Sequence, residues 1–270
     1  MRLQQVIRHG CALSAVALAA VLLMYGSGPL AAQGTGPQAA QQAKPAELPD
    51  ARTVIDRHVA AVGGRDAMMS YSSSHVRGRI DMPANGLSGS LEMFAAKPNL
   101  SLMRMTLAGI GDLQEGFNGK VGWMLSPVTG PMLTEGAQLE QKRFDADFFG
   151  DLKDPARYQS ITTVERAPFD GRECYKVRLV NKAGVEDFEF YDVQTGLKAG
   201  GQMSRESPMG PMTSTFTHGE YKMFGKLLHP ATQKISTMGV EQILTIDSIE
   251  YDTVDQKVFE LPDAIKALIK

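Results

Sequence analysis

Asn118-Gly119 sits between two runs that carry apolar side chains at alternate positions, and few structures other than a β-hairpin accommodate that arrangement. A two-residue type I′ turn needs positive φ at both central positions, which Asn and Gly adopt with the least strain. With the turn centred there, Phe117 pairs with Lys120, Gly116 with Val121, and Gln114 with Trp123. Val121, Trp123 and Leu125 then share one face, where Gly116 leaves room. Leu113, Phe117 and Met124 share the other, where Gly122 leaves room. Both faces carry apolar groups, so both are expected to be covered, or one to be covered by something that comes and goes. Trp123, rather than Phe117, is expected to point to the concave side.

The same period-two pattern governs most of the chain. Val76 to Met82, Leu87 to Met93 and Leu100 to Leu107 alternate across turns at Pro83–Gly86 and Lys97-Pro98-Asn99. A short strand is expected around Met132 and Leu133. Strands follow at 158–166, 173–180, 185–192, 198–205, 212–223, 227–237 and 240–251. Asp170-Gly171, Lys182-Ala183-Gly184 and Gln194-Thr195-Gly196 supply tight connections between them. Two stretches break the pattern. Asp50 reads as a helix N-cap, and Val54, Ile55, His58, Val59 and Val62 recur at helical spacing until Gly63-Gly64 ends the run. A further short helix is expected over 65–70. Between Glu135 and Tyr158, Ala137, Leu139, Phe144, Phe148, Phe149 and Leu152 predict one or two short helices inserted into an antiparallel β unit. Many short strands with tight turns predict a strongly curved sheet, sandwich or barrel, not a βαβ fold.

Residues 1–32 read as a cleaved export signal: Arg2, Arg8 and His9, then the apolar run Cys11–Tyr25, then a small-residue exit at Leu30-Ala31-Ala32. Residues 33–49, rich in Gln, Ala, Gly and Pro, read as a disordered tether, and 50–270 as a single domain. After cleavage Cys174 is the one cysteine left, expected as a small buried hydrophobe. A formal net charge of −2, with both signs interspersed, gives no footprint for a nucleic-acid partner.

Motifs for chemistry are missing from the sequence pattern. Beyond the export signal, the four histidines His58, His75, His218 and His229 lack zinc spacing. Asp145, Asp147, Asp151 and Asp154 lack the glycine and terminal glutamate of a calcium loop, and read as helix-start charges on a solvated face. Met203, Met209 and Met212 have no nearby His or Cys to complete a soft-metal site. Ser204, Ser207 and Ser214 lack a nucleophile elbow, and no glycine-rich loop opens a helix after a strand. No catalytic residue, metal or cofactor is expected. What the chain does carry is methionine, 15 in all, a flexible and polarizable side chain that repacks around varied apolar shapes.

The order of its elements resembles the LolA/LolB-like fold, in particular the exported outer-membrane lipoprotein-sorting protein-like family. The resemblance rests on residues 58–64 (His-Val-Ala-Ala-Val-Gly-Gly), 95–99 (Ala-Ala-Lys-Pro-Asn) and 114–123. It continues through Asp145–Phe148, Asp170-Gly171, Phe190–Leu197 and Phe259-Glu260-Leu261-Pro262. It implies a mainly β (α+β) chain: a curved antiparallel sheet or half-open barrel, with an N-terminal helix and short inserted helices plugging the concave face. It also implies a non-enzymatic, periplasmic carrier of a lipid, lipoprotein or other hydrophobic ligand in an apolar groove, with a lipid or lipidated protein as cargo. A membrane-bound donor or acceptor protein is the further partner it implies. The alternative is an RseB-like stress sensor or scaffold that binds a membrane protein. Groove-lining residues are expected at Met103, Met105, Leu107, Trp123, Phe148, Phe149, Phe190 and Met203. In the true lipoprotein chaperones an arginine latches the helical lid, and no arginine of this sequence aligns with it.

Overall fold

Asp50 opens the described part of the chain by accepting a hydrogen bond from the Arg52 N–H at 2.8 Å, which fixes the start of helix α1 at Ala51–Ala61. The computed structural model describes residues 47–207 and 210–269, so the expected signal segment and nearly all of the tether lie outside the described residues, as does Met209. Gly63 and Gly64, at φ 124° and 92°, end the turn after α1, and α2 follows at Arg65–Ser70.

Thirteen strands then form a single antiparallel sheet. The first six are β1 Ser73–Met82, β2 Leu87–Ala96, β3 Leu100–Leu107, β4 Gly111–Asn118, β5 Gly122–Ser126 and β6 Gly130–Thr134. Helix α3, Gly136–Asp145, and two single 3-10 turns follow. Then come β7 Tyr158–Phe169, β8 Arg172–Asn181, β9 Glu186–Asp192, β10 Lys198–Ser207, β11 Gly210–Phe224, β12 Leu227–Thr237 and β13 Val240–Tyr251. A C-terminal 3-10 turn, Gln256–Phe259, and α4, Asp263–Lys266, complete the described chain. Across the sheet the order is β6-β5-β4-β3-β2-β1-β13-β12-β11-β10-β9-β8-β7. Two meanders therefore meet through the β1–β13 pair, and β6 and β7, consecutive strands in the chain, occupy opposite edges.

The hairpin at Asn118-Gly119 exists with a different register. Gly116 pairs with Trp123 and Phe117 with Gly122, a shift of two residues from the type I′ expectation. Asn118 is the cause: its side-chain carbonyl accepts from the N–H groups of Lys120 and Val121, at 3.1 and 2.9 Å, and so builds a wider turn. A shift of two preserves the faces. It also sets Gly116 directly under the indole, where an added Cβ would lie 2.4 Å from Trp123 Cε2.

Curvature follows from what α3 touches. Lys142 of α3 pairs with Glu115 of β4, and Leu139 lies against Gly122 of β5. Within the same last turn, Asp145 pairs with Arg205 of β10 at 3.0 Å. In a flat sheet β4 and β10 would be about 33 Å apart at roughly 4.8 Å per strand, yet a ten-residue helix is only about 15 Å long. The sheet is thus bent into an open half-barrel whose concave face holds α1 and α3.

Two apolar cores protect opposite faces of this sheet. Along β7–β9, the α1 residues Val54, Ile55 and Val59 pack on the concave face with Leu152, Tyr158, Val177, Leu179 and Tyr191. At the other end Trp123, 1% exposed, packs on the convex face with Phe94, Leu102, Phe259 and Ile265, beneath the C-terminal segment. A smaller convex cluster joins Cys174, Phe190 and Ala199 with Phe169 and Phe188. Cys174 is fully buried, and burial pushes its thiol up to about 11, the reverse of what a nucleophile needs.

Candidate functional site

The register determines which side chains line the concave face beyond the reach of α1. Met93 pairs with Met103, and Leu91 with Met105, on β2 and β3. Met103 faces Glu115 and Met105 faces Leu113 on β4, and Glu115 faces Met124 on β5. On the other flank Ile235 and Gln233 of β12 share that face with Gln242 and Leu244 of β13, and Leu244 continues to Ile80 on β1. Met93, Met103, Met105, Leu113, Met124, Ile235 and Leu244 are all half-buried. The result is a trough floored by flexible thioethers and branched aliphatics, bordered by α3.

Of the residues expected to line a groove, Met103, Met105 and Leu107 stand together on this floor, with Leu107 buried. Met203 reaches the same face from β10 and, with Phe148, lines a cavity of about 260 Å³ beside Arg205 and Tyr158. Phe149 packs against the α1 core, with its ring 5.3 Å from that of Phe148. Trp123 and Phe190 face the other way, into the convex clusters. The register explains both. Gly116 links Trp123 to Leu102, not to Met103, and Phe190 follows Glu189, which takes the inward position.

The inner face of β9 and β10 carries charge. Lys198 Nζ lies 3.0 Å from both Asp151 Oδ1 and Glu189 Oε1, and Lys153 Nζ lies 3.0 Å from Glu189 Oε1. Tyr191 donates its hydroxyl to Glu189 Oε2. The Lys198 and Glu189 side chains are 9% and 10% exposed, and that of Asp151 is 53% exposed. Burial pushes the Glu189 carboxyl up, but Lys153 and Lys198 outweigh it and bring it down to about 2. Burial likewise opposes charge on Lys198, and the two carboxylates overcome it to raise its pKa well above the ordinary value. Lys198 holds Asp151 well below the usual carboxylate range. Two cations and two anions close the account at zero.

Next to that cluster a second cavity, about 300 Å³, lies under the end of α1, with His58, His218, His229, Tyr221 and Gln233 in its wall. Burial first, and Lys198 second, depress His58 and His218 to about 4, and burial lowers His229. All three rings are therefore neutral near pH 7. Tyr221 donates to the Lys198 carbonyl at 2.8 Å, and His229 Nε2 lies 2.9 Å from the Tyr251 hydroxyl. Among the described residues no cluster of metal-ligating side chains is present.

The acidic run is only in part the solvated helix start that its sequence suggests: Asp151 and Asp154 are exposed at the starts of 3-10 turns, whereas arginines hold Asp145 and Asp147. Asp145 ends α3 and is held by Arg205, which also grips Asp187 at 2.9 and 3.0 Å. Burial raises the Asp145 carboxyl against the pull of Arg205. Asp147 pairs with Arg157, whose guanidinium also donates to the Phe144 carbonyl and lies 4.2 Å over the Phe144 ring. Asp154 alone acts as a cap, accepting from the Ala156 N–H at 2.9 Å. Arg157, Lys198 and Arg205 were not singled out by sequence reasoning. The available signal was a charged residue at an inward position of an alternating strand, as at Glu189 and Lys198.

An open curved sheet with its helices on the concave side can be compared with known structures. Neither a family model nor a curated protein sequence matches this chain. Among solved structures, a LolA superfamily protein from Nitrosomonas europaea superposes with a TM-score of 0.53 at 12% identity, over 79% of this chain and 99% of that one. The fold is LolA-like. A DUF1329 family protein from Desulfovibrio piger superposes with a TM-score of 0.54 at 14% identity, over 78% of this chain and 97% of that one. At such identities the LolA-like chain shares a backbone plan with both and no traceable set of side chains. No helix among the described residues is long and apolar enough to cross a membrane.

Proposed function

We propose that this chain is a non-enzymatic, exported binder that carries a lipid, a lipidated protein or another hydrophobic molecule in the periplasm, as part of envelope lipid or lipoprotein trafficking. The observation that carries the reading is the half-buried floor of Met93, Met103, Met105, Met124, Ile235 and Leu244 beside a helix whose last turn is tied to both flanks of the sheet. A floor of this kind leaves apolar area for a ligand to cover, and thioethers adapt to acyl chains of differing shape. Few polar groups are needed for such affinity.

Helix α3 is suited to act as the lid. Two of its ties, Lys142–Glu115 and Arg205–Asp145, have partly exposed carboxylates, and pairs open to water contribute about 0–1 kcal/mol each. Burying an acyl chain contributes about 0.8 kcal/mol per methylene. A handful of methylenes therefore outweighs these two ties, and displacing the helix must also free Phe144 from Arg157 and from the α1 core. Lifting α3 also separates Phe144 from Tyr158, whose rings stand 5.6 Å apart edge to face.

Titration with the fluorescent apolar probe N-phenyl-1-naphthylamine tests this reading. Saturable brightening, competed by phospholipid and weakened at least tenfold by Met103→Asp, is the expected outcome. A protein that neither brightens the probe nor retains extractable lipid when purified from the periplasm would remove the carrier reading. A stoichiometric protein partner in such an empty preparation would favour a scaffold.

A further inference from the structure

The cavity under α1 differs from the trough floor in having hydrogen-bonding groups and no net charge. We propose that it seats the uncharged, hydroxyl-bearing head of a lipid whose acyl chain runs along the trough. The proposal deepens the carrier reading and rests on it.

Three observations converge. The first is charge. Lys198 and Lys153 are already matched by Asp151 and Glu189, and the His58 and His218 rings stay neutral. A phosphate or carboxylate entering here would lose its water and find no free cation to offset the loss. An uncharged head avoids that loss.

The second is hydrogen-bonding capacity. Tyr221 donates its proton to the Lys198 carbonyl and lies 3.3 Å from His218 Nδ1, so its oxygen keeps one lone pair for a further donor. Gln233 adds an amide with both donors and an acceptor at the mouth of the same cavity. Acceptors and donors side by side match hydroxyl groups, which use both. They also make an ordinary hydrocarbon a poor occupant, since buried polar groups left unpaired are costly.

The third is continuity and size. Gln233 pairs with Leu244, and Leu244 with Ile80, so the cavity wall passes without a break onto the trough floor. Phe216, also in the wall, pairs with Ile235 on the same face. The cavity, about 300 Å³, has room for a glycerol-sized head.

Isothermal titration with four single-tailed probes tests the proposal: 1-monooleoylglycerol, methyl oleate, oleate and 1-oleoyl-lysophosphatidate. The expected result is that monooleoylglycerol binds about tenfold tighter than methyl oleate, the loss expected when a buried hydroxyl forfeits its partners. The two anions should bind no tighter than methyl oleate. Tyr221→Phe and Gln233→Leu should each shrink the monooleoylglycerol preference. Thermal melts and methyl oleate titrations of these variants separate loss of the head site from loss of the fold. Equal binding of all four probes, or tighter binding of the anions, overturns the head site while leaving the carrier reading intact. No binding by any probe overturns both.

Discussion

The two ends of the sheet solve the same burial problem on opposite faces. Along β7–β9, helix α1 covers the concave face, and the charges there are locked into the Lys198–Glu189–Lys153 cluster. Along β3–β6 it is the convex face that is covered, by the C-terminal segment over Trp123, and the concave face keeps its methionines half-exposed. Stability and binding surface are thus separated in space. One end can be packed to completion because the other is left open, and a single chain of paired strands connects them.

This contrast can be broken at its strongest point first. Trp123→Ala should cost about 3–5 kcal/mol in chemical denaturation, the usual range for emptying a buried aromatic site. A loss below about 1 kcal/mol would mean that the convex cluster does not hold this end together. An effect of the same order is expected from acid at the other end. His58 and His218 ordinarily titrate at 6.5 and are held near 4 in the fold, so below 6.5 the unfolded chain takes up protons that the folded chain refuses. Stability present above pH 6.5 is therefore lost as pH falls towards 4, by on the order of 3 kcal/mol per histidine. Glu189 adds a second loss lower down, from its ordinary 4.5 towards about 2. Urea midpoints measured between pH 7 and 4 should show the first slope, and His58→Leu should flatten it. An unchanged slope in that variant would show that His58 titrates normally. The smallest effect belongs to the floor: Met103→Ser and Met105→Ser should each change stability by less than about 1 kcal/mol, because half-exposed side chains lose little on truncation. A loss comparable to that of Trp123→Ala would mean that the trough is core.

These differences also mark what the sequence alone could convey. Strand positions were legible because alternation and turn residues are local signals: Asp50, Gly63-Gly64 and the 170–171 turn all stand where their chemistry places them. The register at Asn118 was not, since the side chain that widens the turn competes with a backbone geometry that the same residue also favours. Face assignments depend on several registers multiplied together, which is why Met103 and Trp123 parted company. The ionic cluster was illegible for a different reason. Asp151 and Lys198 are 47 positions apart and meet only because the sheet curls. Arg205 and Asp145, 60 positions apart, meet for the same reason.

Every strand pair but one in this sheet joins neighbours in sequence; β1 with β13 is the exception. Residues 73–134 and 158–251 can accordingly each zip up from their own turns, without waiting for distant segments to find one another. The seam Val76–Ile249 through Asp81–Ile243 then closes a loop of more than 160 residues in one step. Since closure entropy grows only logarithmically with length, the obstacle is less the distance than the need for two preformed surfaces to arrive in matching order. A break in the crossover between β6 and β7 would leave both halves whole, and turn the folding of one chain into the assembly of two.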